Sequence, residues 1–124
     1  GLSNDKHYTT AYDLYLILHE AMKDSRFVNY AGAASYNVTY TAADGSQVTK
    51  NWRNGNRYLT GQEIPPNGVK VDAGKTGTTF AAGSCLVLAS EGADGKRYIS
   101  VVLKAQNKAG LYDNMSKLLL KIDK

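Results

Sequence analysis

Residues 84 to 104 read "SCLVLASEGADGKRYISVVLK", two β-branched, leucine-rich runs split by one short stretch bounded by glycines. Runs of this length flanking Ala93-Asp94-Gly95 read as a β-hairpin. Neither run alternates cleanly between apolar and polar residues, so the sheet they belong to needs cover on both faces. A third strand candidate, "VDAGKTGTTF", precedes them. The closing segment repeats apolar residues at Leu111, Met115, Leu118, Leu119 and Ile122 with lysines opposite, which is one helical stripe able to pack on that sheet.

Upstream, Thr10 followed three residues later by Asp13 starts a capping-box-like pattern, and Ala11, Leu14, Leu18 and Ala21 continue it at helical spacing. A helix over residues 10–24 is predicted. "SYNVTYTAADGSQVTKNW" places β-branched and aromatic residues on both sides of Asp44-Gly45, a hairpin signal with a tight turn. The Asn-, Gly- and Pro-rich "NWRNGNRYLTGQEIPPNG" reads as an irregular surface connection. The resulting order is helix, hairpin, three strands, helix: an α+β fold with an antiparallel sheet and flanking helices. Two helices are few for two sheet faces, so part of the architecture is expected to lie elsewhere.

A chain of 124 residues supports one domain. Its formal charge of +4 is spread along the chain, without the basic stripe and interleaved aromatics of a nucleic-acid footprint. No apolar run approaches a membrane span, and no basic-then-apolar leader opens the sequence, so neither anchor nor signal is expected in these residues. The Gly-Leu-Ser start suggests processing, trimming or expression as a piece. One cysteine, Cys85, with His7 and His19 as the other soft ligands, assembles no metal site. Within "SCLVLA" it reads as a small buried packing residue.

"GKT" at residues 74–76 invites a phosphate-loop reading, but the spacing fails. Gly68 falls one residue early, Val69 stands where the first glycine belongs, and a strand rather than a helix follows. At the edge of a strand beside a cleft, the same residues have other work. Lys75 supplies a cation for a carboxylate, Thr76 a short hydroxyl, and Gly77 lets a peptide-like ligand approach the backbone. A substrate can pair with such an edge as an added strand, with the Thr78 backbone N–H aimed at an incipient oxyanion.

The stretch "GVKVDAGKTGTTFAAGSCLVLASEGADGKRYISVVLKA", with "GLSNDKHYTTAYDL" and "WRNGNRYL" upstream in the same order, resembles the low-molecular-mass penicillin-binding proteins, the serine-type D-alanyl-D-alanine carboxypeptidases. The resemblance implies a partial β-lactamase/transpeptidase-like fold and an acyl-serine mechanism on peptidoglycan stem peptides ending in D-Ala-D-Ala, trapped by β-lactams. It implies no cofactor and no metal. It also implies an extracytoplasmic, cell-envelope location. Of the family's three motifs, S-x-x-K, S-x-N and K-T-G, this chain matches the third at Lys75, Thr76 and Gly77, which the resemblance makes catalytic. Thr78 and Thr79 match positions that hold the substrate's carbonyl oxygen and carboxylate.

The first two motifs have literal matches at Ser3-Asn4-Asp5-Lys6 and Ser35-Tyr36-Asn37. Eight serines make such matches unremarkable. The nucleophile and its lysine need one helical turn so that both share a face, and Ser3 lies too near the terminus for that. Ser35 falls at the start of a predicted strand. Residues 1–124 are therefore expected to be the C-terminal part of a catalytic domain, with no nucleophile in the chain and the missing N-terminal half as its partner. Some relatives carry an arginine near the start of the last helix for the substrate's carboxylate, where this chain has Leu111. The competing expectations are a non-catalytic peptidoglycan- or peptide-binding module, or a β-lactamase of the same fold. Asn37-Val38-Thr39 and Asn114-Met115-Ser116 fit glycosylation sequons, a pattern without meaning in a bacterial-type enzyme.

Overall fold

The computed structural model describes residues 1–122. Its elements run α1 (Ala11–Ala21), α2 (Ser25–Gly32), β1 (Ser35–Thr41), β2 (Gln47–Arg53), β3 (Lys70–Thr79), β4 (Gly83–Glu91), β5 (Arg97–Ala105) and α3 (Lys108–Leu119). β1 and β2 form a sheet of their own, and β3-β4-β5 form a second antiparallel sheet with β4 in the middle. The expected α+β class and all five strands are present.

The sheet lies between two helices. Alternate residues of a strand point to opposite faces, so Leu86 and Leu88 of β4, with Val102 of β5, share one face. There they join Leu111, Met115 and Leu119 of α3 in the core. Each of those large α3 and β4 side chains is almost fully buried, a contribution of roughly 1.5–3 kcal/mol apiece. The predicted α3 stripe thus lands on the sheet, with Leu118 and Ile122 at its margin. α1 packs on β5 and β4. It is held at its start by the predicted capping box: Asp13 N–H donates to Thr10 Oγ1 at 3.1 Å, and Thr10 N–H to Asp13 Oδ2 at 3.0 Å. Only Leu18 of α1 is buried, while Tyr12, Leu16 and Ile17 stay exposed.

The structure departs from the expected order at Ala21, where α1 ends. Asp24 then starts a further helix, its carboxylate accepting from Arg26 N–H at 2.8 Å. α2 lies against β3. It approaches so closely that any side chain at Gly32 would run into the Asp72 carbonyl. The connection from Asn54 onward is irregular, as expected, yet it is not wholly superficial: Asn56 and Tyr58 are buried. Tyr58 Oη meets Ser116 Oγ at 2.7 Å, and Arg57 N–H donates to Tyr112 Oη at 2.9 Å. These bonds strap the connection to α3.

Cys85 also differs from expectation, being half-buried. It sits where the β4–β5 register shifts, and Lys104 on the neighbouring strand has a φ of 56°. That left-handed conformation turns the Lys104 N–H toward Cys85 Sγ, 3.5 Å away.

Candidate functional site

β3 is an edge strand, paired to β4 on one side only, so half of its backbone groups are left to another partner. Lys75, Thr76, Gly77, Thr78 and Thr79 occupy its last half, opposite Val87, Leu86, Cys85, Ser84 and Gly83. The register divides them between the two faces. Thr76 shares the α3 face with Leu86, whereas Lys75, Gly77 and Thr79 share the α1 face with Val87, Cys85 and Gly83.

Two clefts flank this edge. The first, of about 570 Å³, is lined by Asn54, Gly55 and Arg57 of the connection, by Lys75 and Thr76, and by Lys108 of α3. Its walls follow from close packing. A Cβ on Gly55 would come within 2.8 Å of Thr76 Oγ1, and one on Gly74 within 2.9 Å of Asn56 Nδ2 and 2.8 Å of the Val87 carbonyl. Glycine at both positions lets the connection lie directly on β3. The Asn56 amide nitrogen has no hydrogen-bond partner among the described residues, although its Oδ1 accepts from Tyr58 N–H at 3.1 Å. Burial raises the Tyr58 hydroxyl above the usual phenol range, partly offset by its bond to Ser116.

Three cations border this cleft. Arg57 is answered by Glu63 at 3.3 Å and lies over the Tyr112 ring, 5.3 Å from its centroid. Among the described residues no carboxylate pairs with Lys75 or Lys108; the Lys75 ammonium folds back onto the Thr76 carbonyl. The lining therefore suits an anion.

The second cleft, of about 370 Å³, opens on the α1 face between Gly77–Thr79, Cys85 and Leu103 and the N-terminal segment around Ser3. Thr79 Oγ1 accepts from Ala82 N–H at 3.0 Å, which ties its oxygen into the β3–β4 turn and leaves its proton free to be donated. Gly77 contrasts with Gly74 and Gly55. A Cβ there meets nothing within 4 Å, and its φ is not positive. Neither the packing nor the backbone of this chain requires glycine at 77.

Ser3 and Lys6 lie in an irregular exposed segment rather than on a helical turn. Ser3 nevertheless lines the second cleft with Gly77, Thr78 and Thr79, a proximity that sequence reasoning did not foresee. Ser35 pairs with Arg53 at the base of the hairpin and shares a shallow pocket with Asn51 and Thr60, away from Lys75. Arg57 and Lys108 were not foreseen as lining residues. The dense Asn and Gly of "RNGNR" was the available signal, because such a stretch can press backbone against backbone. Among the described residues no group of three or more His, Cys, Asp or Glu side chains could hold a metal.

A three-stranded antiparallel sheet with one open edge, covered by α3 on one face and α1 on the other, is the α+β arrangement of the penicillin-binding and transpeptidase-like class of structures. The sequence pattern described as D-alanyl-D-alanine carboxypeptidase (peptidase S11) matches residues 1–107, and the chain belongs to that family. Among solved structures, a mutant of the Streptomyces K15 DD-transpeptidase is similar at 29% identity and a TM-score of 0.79, over 96% of this chain and 43% of that one. A D-alanyl-D-alanine carboxypeptidase from Mycobacterium tuberculosis is similar at 25% identity and a TM-score of 0.67, over 89% of this chain and 38% of that one. The chain thus spans less than half the length of these structures. No curated protein matches the sequence.

Proposed function

We propose that this chain supplies one wall of the active site of a serine-type D-alanyl-D-alanine carboxypeptidase acting on peptidoglycan stem peptides outside the cytoplasm, and that the nucleophile comes from a segment beyond these residues. The observation that carries the reading is the edge of β3. It presents Lys75 with no carboxylate partner among the described residues and Gly77 with no internal reason to be glycine. A ligand that lies along the strand and ends in a carboxylate accounts for both.

In this reading the stem peptide adds to β3 as a further strand. Its terminal carboxylate meets the Lys75 ammonium and the Thr79 hydroxyl on one face of the strand, with Thr76 on the other. Serine from the partner segment attacks the penultimate D-Ala carbonyl as the lysine of that segment's S-x-x-K turn takes its proton, which later passes to the departing amine. The oxyanion that forms is met by the Thr78 N–H, close to a backbone that Gly77 leaves unobstructed. The tetrahedral intermediate collapses with protonation and loss of terminal D-Ala, and water then releases the acyl group from serine. A β-lactam follows the same path as far as the acyl-enzyme. No cofactor enters any step.

Support for an external nucleophile comes from α1, whose Tyr12, Leu16 and Ile17 stay largely exposed among the described residues. A self-contained binding module would bury that face. The test is intact-mass spectrometry after incubation with benzylpenicillin. The chain alone is expected to gain no mass. Co-expressed with the N-terminal portion of a family member, the complex is expected to form an acyl adduct on that portion, slowed by roughly 10²–10³ in Lys75→Ala. An adduct on Ser3 or Ser35 of the isolated chain would overturn the reading, as would a stable complex that never acylates.

A further inference from the structure

The β1–β2 hairpin packs chiefly on itself, and its two faces differ sharply. One face is a ladder of polar pairs: Asn51 Nδ2 donates to Asn37 Oδ1 at 2.7 Å, Thr39 and Thr49 hydroxyls meet at 2.8 Å, and Gln47 Nε2 donates to Thr41 Oγ1 at 2.9 Å. Each of these side chains makes a hydrogen bond within the hairpin. The other face consists of the directly opposed pairs Tyr36↔Trp52, Val38↔Lys50 and Tyr40↔Val48. Tyr36 is 61% exposed, Trp52 58% and Tyr40 39%. Neither Tyr36 nor Trp52 stacks on another ring among the described residues.

We propose that this face is a carbohydrate platform that seats the glycan strand to which the stem peptide is attached. The inference rests on the peptidoglycan reading above and adds a second part of the substrate to it. Three features of the face select a sugar. Exposed aromatic faces carry negative quadrupole charge that attracts the polarised axial C–H groups of a pyranose. The rings stand beside tyrosine hydroxyls and the Lys50 ammonium, which hydrogen-bond the sugar's rim. From the Tyr36 pair to the Tyr40 pair the platform extends about 13 Å, at the usual rise per strand residue, enough for more than one ring.

Charge and position agree with this occupant. Neither strand contains Asp or Glu, and Lys50 and Arg53 give the hairpin a positive balance complementary to the carboxylates of stem peptides. Trp52 is followed two residues later by Asn54, which lines the Lys75 cleft. The platform therefore lies within two residues of chain of the cleft that takes the peptide.

Trp52 is the chain's only tryptophan, so its emission reads this face alone. We would titrate the full chain with N-acetylglucosaminyl-N-acetylmuramyl pentapeptide, with the same pentapeptide lacking sugar, and with the disaccharide alone. Both sugar-bearing probes are expected to shift or quench Trp52, and the bare peptide to leave it unchanged. Tyr36→Ala should weaken the sugar response roughly tenfold, equivalent to about 1.4 kcal/mol. Tyr36→Ile, which keeps strand propensity and apolar surface but removes the ring, should weaken it equally. No response to either sugar probe, or an equal response to bare peptide, overturns the platform. So does a Trp52 shift on binding the N-terminal portion that abolishes the sugar response, since the face then belongs to an interface within the enzyme. Failure of the carboxypeptidase reading shows separately, as absence of acylation in the assembled complex.

Discussion

The two faces of the β3-β4-β5 sheet are covered by helices of similar length in different ways. On the α3 face, Leu111, Met115 and Leu119 interlock with Leu86 and Leu88, and Tyr58 is bonded down over them. On the α1 face the helix buries Leu18 alone, over the small Ala73 and Ala89, and its outer side carries Tyr12, Leu16 and Ile17 into solvent. The α3 face is a finished core. The α1 face is covered more thinly, by a helix that leaves apolar residues exposed among the described residues.

Substitutions on the two faces should separate them. The largest effect is expected from Met115→Ala, fully buried on the sheet side of α3, which should cost about 2–5 kcal/mol in urea unfolding. A loss below 1 kcal/mol would mean that the α3 face is not the core. Next comes Gly74→Ala, whose methyl meets Asn56, the Val87 carbonyl and Leu88 at once. Overpacking there should cost about 1–3 kcal/mol, and an unchanged midpoint would show that the connection yields freely.

The two N-caps sharpen the contrast further. Asn107 Oδ1 accepts from Gly110 N–H at 2.9 Å at the start of α3, as Thr10 does for α1. Each change to alanine should remove about 1 kcal/mol. Hydrogen exchange should show the Asn107→Ala loss throughout the sheet, because α3 unfolds with it, and the Thr10→Ala loss confined to α1. Equal spread of both effects would erase the distinction between the faces. The smallest change is expected from Ile17→Ser, within about 0.5 kcal/mol of neutral in this chain. It should nonetheless weaken capture of the N-terminal portion, read by co-purification.

Residues whose role is local were legible in the sequence. Thr10 and Asp13 announced a cap, Asp44-Gly45 a turn, and the runs around Leu86 and Val102 a sheet needing two covers. α2 was not legible, because "SRFVNYAG" is short, ends in glycine, and gains its helix from Asp24 and from contact with β3. For the site, Lys75 to Thr79 stood out as polar residues on a strand, whereas Arg57 and Lys108 reach the same cleft from segments far apart in sequence. Only the fold brings them together. The burial of Tyr58 was hidden for the same reason: its partners, Tyr112 and Ser116, lie across the molecule.

Asn54 is a small residue in an awkward place. Its amide donates to the carbonyls of Ala33 at 2.8 Å and Ala31 at 3.3 Å, fixing the root of the hairpin to the end of α2. The next residue, Gly55, has no room for even a methyl group against Thr76. The root of the hairpin is therefore held on two sides, by the end of α2 at Asn54 and by the KTG strand at Gly55. Were a ligand on the hairpin to change affinity at β3, reciprocity would require the ligand on β3 to change affinity at the hairpin by the same factor.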